Sequence, residues 1–460
     1  MVNTEYKSQL ITEQEAASLA EKYYGLKGKL KPLDGEVDFN FRLVTKEGQA
    51  YAMKISRVGT EEEEIAFQEK IMTHLSQQEM GVQVLLPVPS LTGNRYEKIQ
   101  DQAGNHRWFR IQSWIDGKMM DEVNPQNNSV LNSWGRACGY LSKGLKGFDH
   151  PAAHRYYKWD PSQVLSVQSS LSYIKDKDDK ELLEYFWTLI KEEGTPLLQT
   201  LRKSVNYNDA HMHNVLVQNT ETGPEVVGVI DFGDALYTHT INELAIACAY
   251  ACMGKEEPLV SALEMVRGYH EVFPLENSEL RVLYYQIASR LLLTVVHAAE
   301  NAHKEPDNEY LQVSAMPAWN LLRKWKEVHP HFAYLSFCDV CGIFSYDKRT
   351  RFDEWLQQNK QDLQPVVALE GKTVSYLDLS VGSKTLGNHA DFQEITVFNR
   401  RIQRMMEDMQ VDVGLGGYGE IRPFYSTDAY QVEGNDGMQW RTEHIGFDIW
   451  AEAGTAVRAP

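Results

Sequence analysis

Asn208-Asp209-Ala210-His211-Met212-His213-Asn214, followed closely by Val229-Ile230-Asp231-Phe232-Gly233, is the stretch on which the reading of this chain turns. An aspartate and an asparagine five residues apart share one short loop, and Asp231 ends an apolar run with the character of a strand. Between them, Leu216-Val217 and Val226-Val227-Gly228-Val229-Ile230 form a predicted hairpin turning at Glu221-Thr222-Gly223-Pro224, which would bring Asn214 and Asp231 together at its open end. That donor set suits phosphoryl transfer. A nucleotide triphosphate brings magnesium, a hard cation that takes oxygen ligands, and the acceptor hydroxyl needs a carboxylate facing it. Asp209 fits the hydroxyl, while Asn214 and Asp231 fit the metal, the amide coordinating without a second negative charge beside the phosphates. His211 and His213 flank the loop; because the neighbouring donors are oxygens, holding a backbone carbonyl suits them better than binding zinc.

Working outward, 460 residues exceed what one core usually contains, so two or three domains are expected. A hydrophobic fraction of 43% with 11% aromatics argues for folded domains and against extended disorder. The net charge of -18 offers no general affinity for nucleic acid or an anionic membrane. No basic segment leads into an N-terminal apolar stretch and no run approaches bilayer length, so a cytoplasmic location is expected. Five cysteines, few and odd in number, suit a reducing compartment, and Cys338-Asp339-Val340-Cys341 has no second pair to complete a metal site.

The N-terminal region opens on the capping box Thr12-Glu13-Gln14-Glu15 and a helix that stops at Gly25. Two strands are predicted over 34–44 and 49–55 around the turn Lys46-Glu47-Gly48, with Phe39, Phe41 and Leu43 alternating on one and Tyr51 and Met53 on the other. Lys54 on the second strand can enter a cleft and meet phosphate oxygens. Pro87 and Pro89 mark a rigid entry to later strands, and 108–117 reads as a buried strand leaving into a linker. Leu131, Trp134, Cys138, Leu141 and Leu145 recur at helical spacing, as do residues over 240–250, 259–269 and 280–299. The His, Arg and Trp cluster over 147–161 either contacts substrate or braces its loop. Glu243 is a candidate structural tether, and Arg290 with His297, seven apart on one helical face, are either anion ligands or satisfied core groups. After the polar stretch 355–360, short strands and glycine turns over 374–382 and 411–417 replace helical packing.

The order of Lys54, Asp209, Asn214 and Asp231 resembles the aminoglycoside phosphotransferase and choline kinase superfamily, over roughly residues 30 to 335. The resemblance implies an α+β, bilobal protein-kinase-like fold with a small β-rich N-lobe over 1–115 and a helical C-lobe over 116–355. It places Asp209 on the acceptor hydroxyl, Asn214 and Asp231 on magnesium, and Lys54 on the nucleotide phosphates. Gly35 to Asn40 correspond to the turn covering the nucleotide, Gln112, Trp114 and Ile115 to the hinge that takes the base, and Gln68 to the helix residue that holds the lysine, with Glu64 or Glu69 as alternatives. The family's usual His-Gly before the first aspartate is here Tyr207-Asn208. Within the superfamily the segments 35–40, 147–155 and 209–217 look most like the hydroxylysine kinase branch. That branch implies a purine nucleotide, ATP or GTP, with Mg2+, and a small amino-bearing hydroxyl acceptor. An aminoglycoside phosphotransferase and a non-catalytic nucleotide-sensing module are the alternatives.

At the C-terminal end, His444-Ile445-Gly446-Phe447-Asp448 resembles the opening half of a lysostaphin or LytM-type zinc peptidase domain, so 356–460 is expected to be a connector and an incomplete β-rich module. Two ligand positions, His444 and Asp448, make no complete zinc site. Bacterial relatives of this branch with such a module imply a downstream aminotransferase-fold domain in a longer protein.

Overall fold

The computed structural model describes residues 11–33, 35, 38–221, 223–304, 315–343, 346–425, 428–435 and 437–458. Asp34, Glu36 and Val37 of the predicted first strand, and Thr222 of the predicted hairpin turn, lie outside them. The chain divides into two units, Met1–Phe344 and Ser345–Pro460.

In the first unit Thr12 caps helix α1 (Glu13–Tyr24) by the expected box, and Gly25 ends it in the left-handed conformation at φ 68°. Five antiparallel strands follow: β1 (Gly28–Leu33), β2 (Phe39–Thr45), β3 (Ala50–Ile55) and, after helix α2 (Glu62–Ser76) and the short β4 (Gln83–Val84), β5 (Glu97–Gln100) and β6 (His106–Ser113). Their order is β1-β2-β3-β6-β5. Strand alternation puts Phe41, Leu43, Met53, Ile55, Phe109 and Ile111 on one face, where Ala16, Ala20 and Tyr24 of α1 cover them. The other face carries Lys54 and Arg110, which are cross-strand partners, and Gln112. Helix α2 covers this polar face, with its own apolar side (Phe67, Ile71, Met72 and Leu75) belonging to the larger core below. The small lobe is thus β-rich, with one helix that it shares with its neighbour.

The large lobe carries β7 (Lys118–Met119), α3 (Asn128–Gly144), α4 (Lys177–Leu189), β8 (Lys203–Asn206), β9 (Val215–Thr220), β10 (Gly223–Val229), β11 (Leu236–His239), α5 (Ile241–Ala251), α6 (Pro258–Val272), α7 (Asn277–Lys304), α8 (Ala315–Glu327) and α9 (Pro330–Val340). Strands β9 and β10 form the expected hairpin, and β4 joins it in parallel, a pairing that two residues of sequence do not announce. Helix α7 is long and apolar enough to cross a membrane, contrary to the reading that no run approaches that length. Its apolar window is 94% buried among the other helices, which accounts for the composition.

The second unit contains α10 (Tyr346–Asn359), β12 (Val374–Tyr376), α11 (Ile395–Asp408), β13 (Val413–Gly416) and β14 (Asp448–Trp450). Strand β13 pairs in parallel with β12 and antiparallel with β14. Leu377, Leu379, Leu386, Phe398, Ile402 and Met405 make its small core. The peptidase resemblance is corrected by the surroundings of His444 and Asp448. A buried arginine, Arg422, takes Asp448 at 2.6 Å and Glu420 at 2.9 Å, and the His444 ring meets the Tyr425 hydroxyl at 2.7 Å. A cation already neutralises the carboxylate that was to be a ligand, and among the described residues no three His, Cys, Asp or Glu side chains converge to hold a metal ion.

The large lobe depends on close approach of α3 and α6. A methyl added at Gly135 would stand 2.1 Å from the Met265 carbonyl oxygen, and one at Gly268 would stand 2.0 Å from that of Asn132. Both obstacles are backbone, so neither can swing aside. Gly135→Ala is therefore expected to destabilise the protein by roughly 3 kcal/mol, the upper range for overpacking, read as a lower denaturation midpoint; an unchanged midpoint would show that the helices can part.

Candidate active site

Residues 207–214 join β8 to β9, and residues 230–235 join β10 to β11. Because β8 pairs with β11 and β9 with β10, each loop leaves one strand pair and enters the other: Asn206 faces Leu236 at one end and Val215 faces Val229 at the other. The loops are also bonded to each other. The Ile230 amide donates to the Asn214 carbonyl at 3.0 Å, and the buried Tyr207 hydroxyl donates to the Ile230 carbonyl. Two non-glycine residues here take the left-handed conformation, Asn208 at φ 67° and Asp231 at φ 63°. Asn and Asp tolerate it better than other side chains, and such backbone persists where its surroundings hold it. For Asn208 the hold is Glu243 on α5, whose Oε2 accepts the Asn208 amide at 2.8 Å. That is the tether suspected from sequence.

The charged groups converge from both lobes. Lys54 Nζ lies 2.8 Å from Asp231 Oδ2, while Asp231 Oδ1 accepts the Gly233 amide at 3.1 Å. The Lys54 charge, with little else offsetting it but burial, holds the Asp231 carboxyl well below the usual carboxylate range. Asn214 Nδ2 donates to Asp209 Oδ2 at 2.7 Å, which commits the amide nitrogen and leaves its carbonyl oxygen as the acceptor. Asn214 Oδ1 and the Asp231 carboxylate form an oxygen donor set on adjoining backbone, which fits magnesium and not a soft metal. His211 stands 3.4 Å from Asp209 Oδ2. Burial is the largest single effect and disfavours its charged ring, but the Asp209 charge and hydrogen bond together with the other charges leave its pKa raised.

Asp234, which sequence reasoning passed over although it lies one residue beyond Asp-Phe-Gly, is a further carboxyl in this cleft. Burial and then the Asp209 charge raise its pKa, and the Tyr157 hydroxyl donates to it. Arg155 fixes the backbone on either side, reaching the Gly233 carbonyl at 2.7 Å and that of Ala235 at 3.3 Å. The cluster over 147–161 therefore braces. His150 stacks on Phe67 of α2, Asp160 accepts from Thr238 and Asn242, and His297 of α7 meets the Lys158 carbonyl at 3.0 Å.

The nucleotide-side residues are placed as follows. Asn40 faces Lys54 across β2 and β3, and Gly35 lies against the Asn40 side chain. Gln68 does not reach Lys54: its Oε1 accepts from Arg110 at 2.6 Å. Glu69 is buried beside Arg110 and Gln112, and the lysine's close partner is Asp231, not Glu64 or Glu69. The Gln112 side chain turns beneath α2 toward Glu69 at 3.1 Å, so only its backbone borders the hinge. Trp114 is covered by the Arg42 guanidinium at 4.7 Å, and Ile115 packs against Gly228 in the large-lobe core. His213 meets Asp121 at 3.2 Å, so the two loop histidines contact carboxylates where backbone carbonyls were expected.

Fold and site together define a phosphotransferase. Residues 29–276, more than half of the chain, match the family described as "Phosphotransferase enzyme family", and the protein belongs to it. The hydroxylysine kinase of Mus musculus is 25% identical over 338 residues, covering 68% of this chain and 89% of that protein, and that of Bos taurus is 26% identical over 339 residues, with the same coverage. Among solved structures, an amicoumacin kinase in complex with AMP-PNP and Ca2+ is similar in fold at a TM-score of 0.54 and 17% identity, covering 72% of this chain and 97% of the other. A microcompartment-associated aminopropanol kinase gives 0.50 and 17%, covering 68% and 97%. These matches carry the phosphotransferase resemblance and no peptidase one, which removes the second half of the reading from sequence.

Glu243 makes a measurable claim. Burial pushes its carboxyl from the ordinary 4.5 to about 7, against the lowering effect of the two amides it accepts. The folded state then binds more protons than the unfolded state between those values, so this group's contribution falls as pH rises through that window, by about 3 kcal/mol in all. Glu243→Gln keeps an acceptor for Asn208 and removes the titration. Its stability relative to wild type should climb by that amount between pH 4.5 and 7.5 in urea denaturation; a constant difference would mean that Glu243 does not change protonation on folding.

Proposed function

We propose that this protein transfers the γ-phosphoryl group of a purine nucleotide to a hydroxyl of a small amino alcohol or hydroxylated amino acid, with hydroxylysine the first candidate. The observation that carries the proposal is the convergence of the Lys54–Asp231 ion pair with the Asp209–Asn214 hydrogen bond across one cleft. Lys54 holds phosphate oxygens from the small lobe. Asn214 and Asp231 hold Mg2+, which when bound offsets the phosphate charge. Asp209 faces the acceptor and orients its hydroxyl, and no covalent step on the protein is required.

The amine on the acceptor is supported by Asp234. Of the three aspartates here, Asp231 has Lys54 and Asp209 has Arg290 within ion-pair distance, while Asp234 has the Tyr157 hydroxyl and no cation at that range among the described residues. An ammonium group is the natural complement of such a carboxylate. The similarity to hydroxylysine kinases, at about a quarter identity, points to the same class of acceptor. Five free cysteines accord with action in the reducing cytoplasm.

ATP and GTP should each be screened with hydroxylysine, ethanolamine, homoserine, choline and an aminoglycoside. Transfer to an amino-bearing small acceptor is expected; nucleotide binding with no transfer to any of them would leave a sensing module, and preference for the aminoglycoside would move the assignment there. Asp209→Asn should lower kcat about a thousandfold with nucleotide affinity retained. Asp234→Asn should raise KM for the amine-bearing acceptor roughly tenfold while leaving the KM for nucleotide alone. Equal effects on both substrates would remove Asp234 from the acceptor side.

A further inference from the structure

Asp209 has two carboxylate oxygens, and their surroundings differ. Oδ2 accepts from Asn214 Nδ2 at 2.7 Å and lies 3.4 Å from His211 Nε2. Among the described residues Oδ1 has no such donor, and it faces the guanidinium of Arg290, whose terminal nitrogen is 3.9 Å away, too long for a hydrogen bond but within reach of its charge. Arg290 comes from the middle of α7 and is 3% exposed. One of its terminal nitrogens donates to the Trp159 carbonyl at 3.0 Å and the other to the Tyr250 hydroxyl at 2.9 Å. The guanidinium also lies over both rings, 5.0 Å from the Trp159 centroid and 5.4 Å from that of Tyr250. A buried cation clamped from the 147–161 segment and α5, and aimed at the one oxygen of Asp209 not already taken, is a costly arrangement for packing alone.

We propose that Arg290 is a positioning residue for phosphoryl transfer: it sets the direction of Asp209 Oδ1, the oxygen left to receive the acceptor hydroxyl. The inference rests on the role given to Asp209 under the proposed function. Asn214 fixes one oxygen from within the loop, and Arg290 draws the other toward the α7 wall, so the carboxylate plane is defined by two elements that are far apart in sequence. Tyr250 and Trp159 act through Arg290 by preventing its swing. Neither the arginine nor its two supports contacts the nucleotide side of the cleft, which is built from Lys54 and Asp231. The acceptor step and nucleotide binding should therefore separate on mutation.

Two variants test this, Arg290→Lys and Tyr250→Phe, each crystallised with MgADP and assayed with whichever acceptor the wild type phosphorylates. Lysine keeps the charge but loses the fork that grips both anchors. Expected in Arg290→Lys is a rotated or doubly populated Asp209 carboxylate and a kcat about a hundredfold lower, the scale for a misplacement of about 1 Å. Tyr250→Phe should show the same change in milder form, about fivefold, and both should keep wild-type nucleotide affinity. An Asp209 side chain that superposes on the wild type in both variants overturns the proposal, as does a fall in kcat matched by an equal loss of nucleotide affinity. Should Arg290→Lys fail to fold, Tyr250→Phe decides, because it removes one oxygen and leaves the ring and arginine in place. Should the wild type phosphorylate no acceptor, the functional reading has failed, and the Asp209 conformation in the crystals alone decides this one.

Discussion

The exchange of partners among four strands is the constraint on which the site depends. Loop 207–214 runs from β8 to β9 and loop 230–235 from β10 to β11, while the pairing is β8 with β11 and β9 with β10. Neither loop can shift without breaking backbone pairs at an end of the other. Between these fixed ends the Ile230 amide and carbonyl are both taken by the neighbouring loop, through Asn214 and Tyr207. Asn214 and Asp231 are held side by side by main-chain bonds, before any cation is considered. The magnesium proposed for these two side chains would need that kind of preorganisation, because two oxygens alone cannot draw a floppy pair together.

The small lobe acts on this frame through one side chain and one helix. Lys54 spans the cleft to Asp231, its cross-strand neighbour Arg110 is engaged with Gln68, and the buried Glu69 stands close by. The polar face of the five-stranded sheet is thus a charge network, while α2, lying over it, contributes its apolar side to the core of the other lobe. The lysine is committed to Asp231 rather than to a helix acid. Gln68 on the helix is taken by Arg110, and the lysine ammonium pairs with the Asp231 carboxylate instead.

Much of this was legible in the sequence because it is local. The capping box at Thr12, the β2–β3 hairpin, the β9–β10 hairpin and the spacing of Asp209, Asn214 and Asp231 are each set within a short run of chain, where periodicity and turn chemistry act directly. Contacts of long range were not legible. The pairing of β4 with β10, the turn of Gln112 beneath α2, and the convergence of Arg290 on Asp209 each join segments whose sequences carry no mark of the other. Asp234 was missed for a different reason: it lies next to a recognised motif but takes its meaning from Tyr157 and Asp209, which only the fold brings near. The error at His444 and Asp448 has the same root. A resemblance of the local stretch 444–448 to a peptidase motif suggested ligands, while Arg422, which neutralises Asp448, sits upstream at no fixed interval.

Tyr207 and Asn208 depart from the family's His-Gly, and the structure shows how the pair keeps the loop in shape. A glycine would reach φ 67° without strain; Asn208 reaches it as one of the few side chains that tolerate the left-handed region, and Glu243 takes its amide. Both polar atoms of the buried Asn208 side chain lack a hydrogen-bond partner among the described residues, so the substitution carries a real energetic cost at this position. Tyr207 counters that cost. Its hydroxyl reaches the Ile230 carbonyl, and its ring packs edge-on against Phe232 at 5.0 Å, so the residue before the strained position grips both the strand end and the aromatic of the 230–235 loop. Two residues in a conformation that few side chains tolerate, Asn208 held by Glu243 and Asp231 by Lys54, thus stand in the two loops that the strand exchange brings together.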